Sequence, residues 1–217
     1  MLFRSAWGTW VYNVVNRYKS NVNVWECWNE PSWNTGFGSP GDAVKYTTFL
    51  KMAYTKAKAA DPNCKVLGGS ILGTHNSGLN FLKTMYQNGA KDYMDAVAYH
   101  PYCDPVSPLY PYQTGSGNAF WKLKNAKDIM NSYGDTNKNI WITEVGWSTG
   151  GTSVTEDKQA LYIKQALDLA KSWGWVETFI IYNWKDSETT GKYTKGLLRT
   201  DLSPKPSFYA VKNFTNE

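Results

Sequence analysis

The chain has no apolar run approaching the roughly 20 residues that span a bilayer, no block of one charge sign, and no C-x-x-C pair. The first absence excludes a transmembrane helix and predicts a soluble globular protein with no membrane partner. The second excludes the basic arm or acidic tail of a nucleic-acid partner, since 23 Lys and Arg against 18 Asp and Glu leave only +5, spread along the chain. The third makes zinc unexpected. Cysteine is itself scarce: Cys27, Cys64 and Cys103 lie far apart, and their odd count excludes a closed disulfide framework, so buried free thiols are expected. Met1 to Ser5 carries one Arg and shows neither the apolar run nor the cleavage site of a secretory signal, which leaves localisation unread.

What the chain has instead is length enough for a core and many flat rings. With 217 residues, 42% of them hydrophobic, one domain over residues 1–217 is expected. Eleven Trp and fifteen Tyr exceed ordinary usage. Aromatic faces with a polar handle suit sugar rings, which present apolar C–H patches beside hydroxyls, and they equally suit core filling. One glycosylation-type sequon, Asn213-Phe214-Thr215, sits near the tail.

Helical and strand patterns alternate. Trp10, Val11, Val14, Val15 and Tyr18 form one helical stripe, followed by the short apolar run Val22 to Trp25. A helix over Asp42 to Ala60 should stop at Asp61-Pro62, and a strand over Lys65 to Leu67 should end in Gly68-Gly69. A helix over Leu79 to Gln87 leads to a strand over Ala96 to Tyr99, and one over Ala119 to Ser132 to a strand over Ile140 to Thr143. The clearest helix runs from Thr155 to Trp173, with Ser153-x-x-Glu156 at capping-box spacing before it and Gly174 after it. A strand over Glu177 to Tyr182 and a short helix after Pro206 finish the pattern. Such alternation means parallel strands with right-handed crossovers, an α/β architecture. The five strands fit either an open doubly wound sheet or a barrel whose first strands are absent, since eight-fold barrels take about 250 residues.

Polar and aromatic residues gather where strands end: Asn29-Glu30-Pro31, His100-Pro101-Tyr102, Glu144 with Trp147, and Tyr182, Trp184 and Asp186. Ligands meet the carboxyl ends of parallel strands, so this placement is what an active site predicts. Taken singly, Glu30 also suits a helix N-terminus beside Pro31, and His100 a satisfied core histidine. Together, two strand-end carboxyls are the raw material of glycoside hydrolysis: one must stay protonated to donate to the leaving oxygen, and the other must stay ionised to attack the anomeric carbon or activate water. Apolar neighbours such as Trp25, Trp28 and Trp33 would favour the first state, and a donor such as Tyr102 the second.

Trp25-Glu26-Cys27-Trp28-Asn29-Glu30-Pro31-Ser32 resembles the W-E-x-W-N-E-P segment of clan A glycoside hydrolases, and Trp141 to Thr149 is similar to their seventh-strand segment. With Ala98-Tyr99-His100-Pro101-Tyr102, Leu197 to Asp201 and Lys205-Pro206-Ser207, the resemblance is nearest the cellulase-like branch of families 39 and 5 and covers the chain from Val22 onward. It implies a (β/α) TIM-barrel type fold, partial, with about five parallel strands corresponding to strands 4 to 8. It implies Glu30 as general acid/base, Glu144 as nucleophile of a retaining mechanism, and Asn29 on the sugar 2-hydroxyl. His100 and Tyr102 match the pair bordering the nucleophile, and the aromatic under the reacting sugar falls on Tyr182 or Trp184, where Tyr182 would depart from the usual Trp. No metal or organic cofactor is implied. Secretion is suggested by family analogy alone.

The expected function is therefore a retaining hydrolase of β-linked glycans, an endo-glucanase or related enzyme, with Trp33, Trp147 and Trp184 as stacking platforms and an oligo- or polysaccharide as partner. A carbohydrate-binding remnant that has lost turnover is the alternative. Nucleotide binding is disfavoured because Gly68-Gly69-Ser70 lacks a phosphate-loop context. A sheet without its first three barrel strands would expose a strand edge and an apolar face; a fragment of a longer barrel, a short variant that pairs two copies and a rearranged five-stranded fold all fit, and a homodimer covering the open side is the expectation favoured.

Overall fold

A computed structural model describes residues 2–33, 36–38, 41–74, 76–110, 118–150, 153–187 and 194–215. Helices and strands alternate throughout: α1 (Leu2–Tyr18), β1 (Val24–Glu26), α2 (Ala43–Ala60), β2 (Lys65–Leu72), α3 (Asn76–Gln87), β3 (Ala96–His100), α4 (Lys122–Ser132), β4 (Ile140–Val145), α5 (Glu156–Trp173), β5 (Val176–Ile181) and α6 (Pro206–Phe214). The strands follow one another in the order β1-β2-β3-β4-β5. This is the sheet that helical crossovers between parallel strands build. β1 and β2 pair in parallel with Trp25 opposite Val66. The expected α/β class with five parallel strands is what the chain adopts.

Residues 1–99 with 124–141 form one compact unit, and residues 100–123 with 142–217 a second. In the first unit α1 lies on α2, and Val11 and Val15 are buried beside Ala53 and Ala57. The indole of Trp7 donates to the Phe49 carbonyl (3.2 Å) and stacks on Trp10. Under the helices, Leu67, Ala96 and Ala98 form a core flanked by Val24 and Trp141. Asp42 caps α2 by accepting from the Lys45 N–H (2.9 Å), a bond typically worth about 1 kcal/mol. The helix stops where expected, at Asp61 before Pro62.

β2 does not end at its glycines but runs on to Leu72. Gly68 is small for packing rather than turning: a Cβ there would sit 2.8 Å from the Met94 sulfur and 3.0 Å from a Leu50 methyl. Gly69, at φ 103, and Ser70, at φ 48, then bend the strand.

In the second unit α5 buries Gln159, Ile163, Ala166, Leu167 and Ala170. Its cap is Thr155, whose hydroxyl accepts from the Lys158 N–H (3.2 Å), not Ser153; Glu156 pairs with Arg199 instead of reaching back to close a capping box. Gly174 closes the helix in the left-handed conformation, as expected. A buried polar network gathers distant segments. Lys205 Nζ reaches Asp186 Oδ2 (2.7 Å), Thr149 Oγ1 (2.9 Å) and the Thr194 carbonyl (3.1 Å). Gln159 donates to the Trp147 carbonyl (2.8 Å) and accepts from Ser207. All three cysteines are buried free thiols, as expected, and burial pushes Cys27 and Cys103 each up to about 12.

Candidate active site

In the first unit the chain leaves β1 through Cys27, whose N–H still pairs with the Leu67 carbonyl (3.0 Å). It then turns twice through the left-handed region, at Trp28 (φ 75) and at Glu30 (φ 45). Neither residue is glycine, and this conformation costs an ordinary side chain roughly 1–2 kcal/mol, so the loop must be held by its surroundings. It is stitched to β2 at several points. The Tyr46 hydroxyl donates to the Cys27 carbonyl (2.8 Å) and accepts from the Gly69 N–H (2.9 Å). The Glu30 N–H reaches Ser70 Oγ at a long 3.4 Å, and the Leu72 N–H donates to Ser32 Oγ (3.1 Å). Burial drives the Tyr46 phenol well above its ordinary value. Asn29 lies between the two left-handed residues. Trp28 packs edge-on against Phe37 and Trp7, while Trp33 is 44% exposed.

In the second unit Glu144 sits inside the regular strand β4 and is held by its side chain. Tyr102 donates its hydroxyl to Glu144 Oε2 (2.9 Å), and His100 Nδ1 stands 3.7 Å from the same oxygen. His100 is fully buried, with its Nε2 3.1 Å from Thr143 Oγ1, so one ring nitrogen is fixed by the strand that carries Glu144 and the other faces the carboxyl. A phenol donating to a carboxylate makes a charge-assisted bond, stronger and more directional than a neutral one. The sequence patterns of His100, Tyr102 and Glu144 thus converge in space.

Behind Tyr102 lies a cluster that sequence reading missed. Lys195 Nζ bonds Asp104 Oδ2 (2.7 Å) and Ser148 Oγ (2.6 Å) and stands 5.7 Å from the centre of the Tyr102 ring, while the Ser148 N–H donates to the same Asp104 oxygen (3.0 Å). Lys195 and Asp104 are 91 residues apart, so no local pattern could have joined them.

The remaining aromatics divide. Trp147 is fully buried; its indole donates to the Val106 carbonyl (2.8 Å) and its ring packs on Tyr162, so it fills the interior instead of presenting the open face expected of a stacking platform. Tyr182 directly follows β5 with its N–H on the Val145 carbonyl (2.8 Å) and is half-buried. Trp184, two residues on, is 62% exposed with one edge against Phe208. Of the two residues between which the sequence left the platform open, Trp184 has the accessible ring.

The family model of the glycosyl hydrolase catalytic core matches residues 3–209. Among solved structures, a family 39 glycoside hydrolase from Bacteroides cellulosilyticus WH2 is 27% identical with a TM-score of 0.74, over 92% of this chain and 42% of that one. A monomeric β-xylosidase from Caulobacter crescentus CB15 is 20% identical (TM-score 0.71; 98% and 46%). Xylanase 10B from Thermotoga maritima is likewise 20% identical (TM-score 0.65; 96% and 65%). The last two likenesses show the fold alone. The chain spans less than half the length of the first two proteins. The fold is a partial TIM barrel, and the resemblance to clan A and to family 39 drawn from the motifs holds.

Proposed function

Because the chain belongs to the glycosyl hydrolase catalytic core family, we propose that it is a retaining glycosidase of β-linked glycans, with Glu144 as nucleophile and Glu30 as acid/base. The observation that carries this reading is the mount of Glu144: a strand-end carboxyl whose Oε2 takes the Tyr102 hydroxyl and faces the His100 imidazole, a stationary acceptor suited to attack with its other oxygen. Glu144 attacks the anomeric carbon while Glu30 delivers its proton to the leaving oxygen, giving a glycosyl ester on Glu144. Glu30 then takes a proton from water, which attacks the same carbon and frees Glu144. Direct attack requires the two carboxyl groups to lie about 5–5.5 Å apart, against roughly 6.5–9.5 Å for inversion through a water. Asn29 binds the 2-hydroxyl, and Trp33 and Trp184 stack on sugar rings.

The substrate class extends from the expected β-glucans to β-xylans, since structures similar in fold carry xylosidase and xylanase names. Proton NMR of the first-formed sugar from an aryl β-glycoside tests the mechanism: the β-anomer first supports retention, the α-anomer first refutes it. Glycan binding without any turnover would support the alternative of a sugar-binding remnant. A panel of gluco- and xylo-oligosaccharides ranks the substrates. A second copy of the chain covers the outer edge of β1, near which Trp10 and Val22 are exposed, at an interface of about 2,000 Å² or more. Sedimentation at low micromolar concentration should show a dimer, and a stable monomer refutes it.

A further inference from the structure

Glu30 is carried by one of the more strained stretches of the chain. Three residues other than glycine, Trp28, Glu30 and Ser70, adopt left-handed φ values in two segments that touch each other, the loop after β1 and the bend in β2. Left-handed residues persist only where the surroundings over-determine them, and such strain collects at functional sites. The contacts that impose it can be named. Tyr46, fully buried on α2, spends its one hydroxyl on two peptide groups. The Cys27 carbonyl that it holds immediately precedes Trp28, and the Gly69 N–H that it accepts immediately precedes Ser70. Ser70, also fully buried, turns its own hydroxyl to the Glu30 N–H, and the Leu72 N–H takes the hydroxyl of Ser32 two residues past Glu30.

We propose that Tyr46 and Ser70 are positioning residues for Glu30, two hydroxyls that hold the loop after β1 in its left-handed turns and so aim the carboxyl. Neither touches substrate; each acts through the main chain. The proposal rests on the reading of Glu30 as acid/base for its kinetic consequence, but its structural consequence stands alone. If Glu30 relaxed to right-handed φ, its Cα–Cβ bond would swing away, and displacements of about 1 Å can cost a proton donor two orders of magnitude.

Two variants of Ser70 separate the hydroxyl from the turn. Ser70→Gly deletes the hydroxyl at a φ that glycine adopts without strain, whereas Ser70→Ala deletes it and keeps the strain. Tyr46→Phe removes the other hydroxyl. Amide hydrogen exchange at Glu30 should quicken about tenfold in Ser70→Gly and Tyr46→Phe while the β3 amides, Ala96 to His100, stay as protected as in the parent. The kcat/KM for a methyl glycoside should fall about tenfold or more, with kcat/KM for a dinitrophenyl glycoside nearly unaffected because its leaving group needs no proton in the first step. Ser70→Gly removes a single carbon besides the hydroxyl and relieves the left-handed φ, so it keeps the test open if Tyr46→Phe does not fold.

Unchanged exchange at Glu30 in Ser70→Gly overturns the proposal, as does an equal fall in kcat/KM on both glycosides. Glu30→Gln serves as the control for the underlying reading. If Glu30→Gln itself shows no dependence on leaving group, the acid/base assignment falls and the exchange measurement alone decides the positioning role.

Discussion

The two carboxyl groups are mounted in opposite ways. Glu144 stands on a regular strand and is fixed from its side chain, by Tyr102 and His100. Glu30 stands on a left-handed loop and is fixed from its main chain, by stitches to β2 that end at Ser70 and Ser32. The difference suits the two roles proposed for them. A nucleophile must stay deprotonated until it attacks, and bonds to its idle oxygen hold it so and in place. An acid/base changes protonation twice in each cycle, and a backbone mount adds aim without itself selecting either state.

The sharpest break in this comparison is Glu144→Gln, which removes the attacking oxygen and keeps the shape. Turnover should fall at least about 10⁴-fold while oligosaccharide binding by calorimetry stays near that of the parent. Glu30→Gln should cost about 10²- to 10⁴-fold in kcat/KM on methyl glycosides and little in kcat/KM on dinitrophenyl glycosides, whose release needs no acid. Equal losses on both would reverse or void the assignment. Tyr102→Phe tests the side-chain mount itself: losing one charge-assisted bond of about 1.5–3 kcal/mol should lower kcat/KM about 10- to 100-fold on both substrate types, since attack and not protonation suffers.

The smallest effect separates the two mounts by pH. Cys27 lies at the root of the Glu30 loop, and its thiol, ordinarily near 9.0, is pushed up to about 12 by burial. A raised folded value means that the unfolded chain loses this proton first, so the stability it contributes is complete below pH 9 and is lost as pH climbs toward 12, by up to about 1.4 kcal/mol per pH unit. Chemical denaturation from pH 8 to 11 should show this decline, and Cys27→Ala should flatten it. An identical slope in the variant would place the alkaline sensitivity elsewhere, in Tyr46 or Cys103, which burial raises as well.

Much of this arrangement is written locally. Asp42, Pro62 and Gly174 mark helix ends because capping and backbone sterics act within a few residues, and the strands ending at His100 and carrying Glu144 arise from short apolar runs. Where local signals misled, a tertiary demand had claimed the residue. Gly68-Gly69 reads as a turn, yet Gly68 is kept small by Met94 and Leu50. Glu156 stands at capping-box spacing, yet Arg199 holds it. Trp147 reads as a sugar platform, yet the interior and the Val106 carbonyl take it. The supports of Glu30 and Tyr102 were invisible for a further reason: Tyr46, Ser70, Asp104 and Lys195 carry no motif, and only the crossovers bring them to their partners.

The ion pair between Lys205 and Asp186 has a consequence for the life of the protein in a cell. Lys205 stands just ahead of α6, yet the side chain it neutralises lies well back along the chain, beside the end of β5. A ribosome that stops early, or a protease that nicks the exposed Leu202 turn and releases the C-terminal piece, strips the cation and leaves a buried carboxylate with the Gly196 N–H but no counter-charge, a loss of about 3–5 kcal/mol. That is a large share of a domain's whole stability. Shortened copies would therefore be recognised by their instability and cleared, so that only chains translated through Lys205 accumulate.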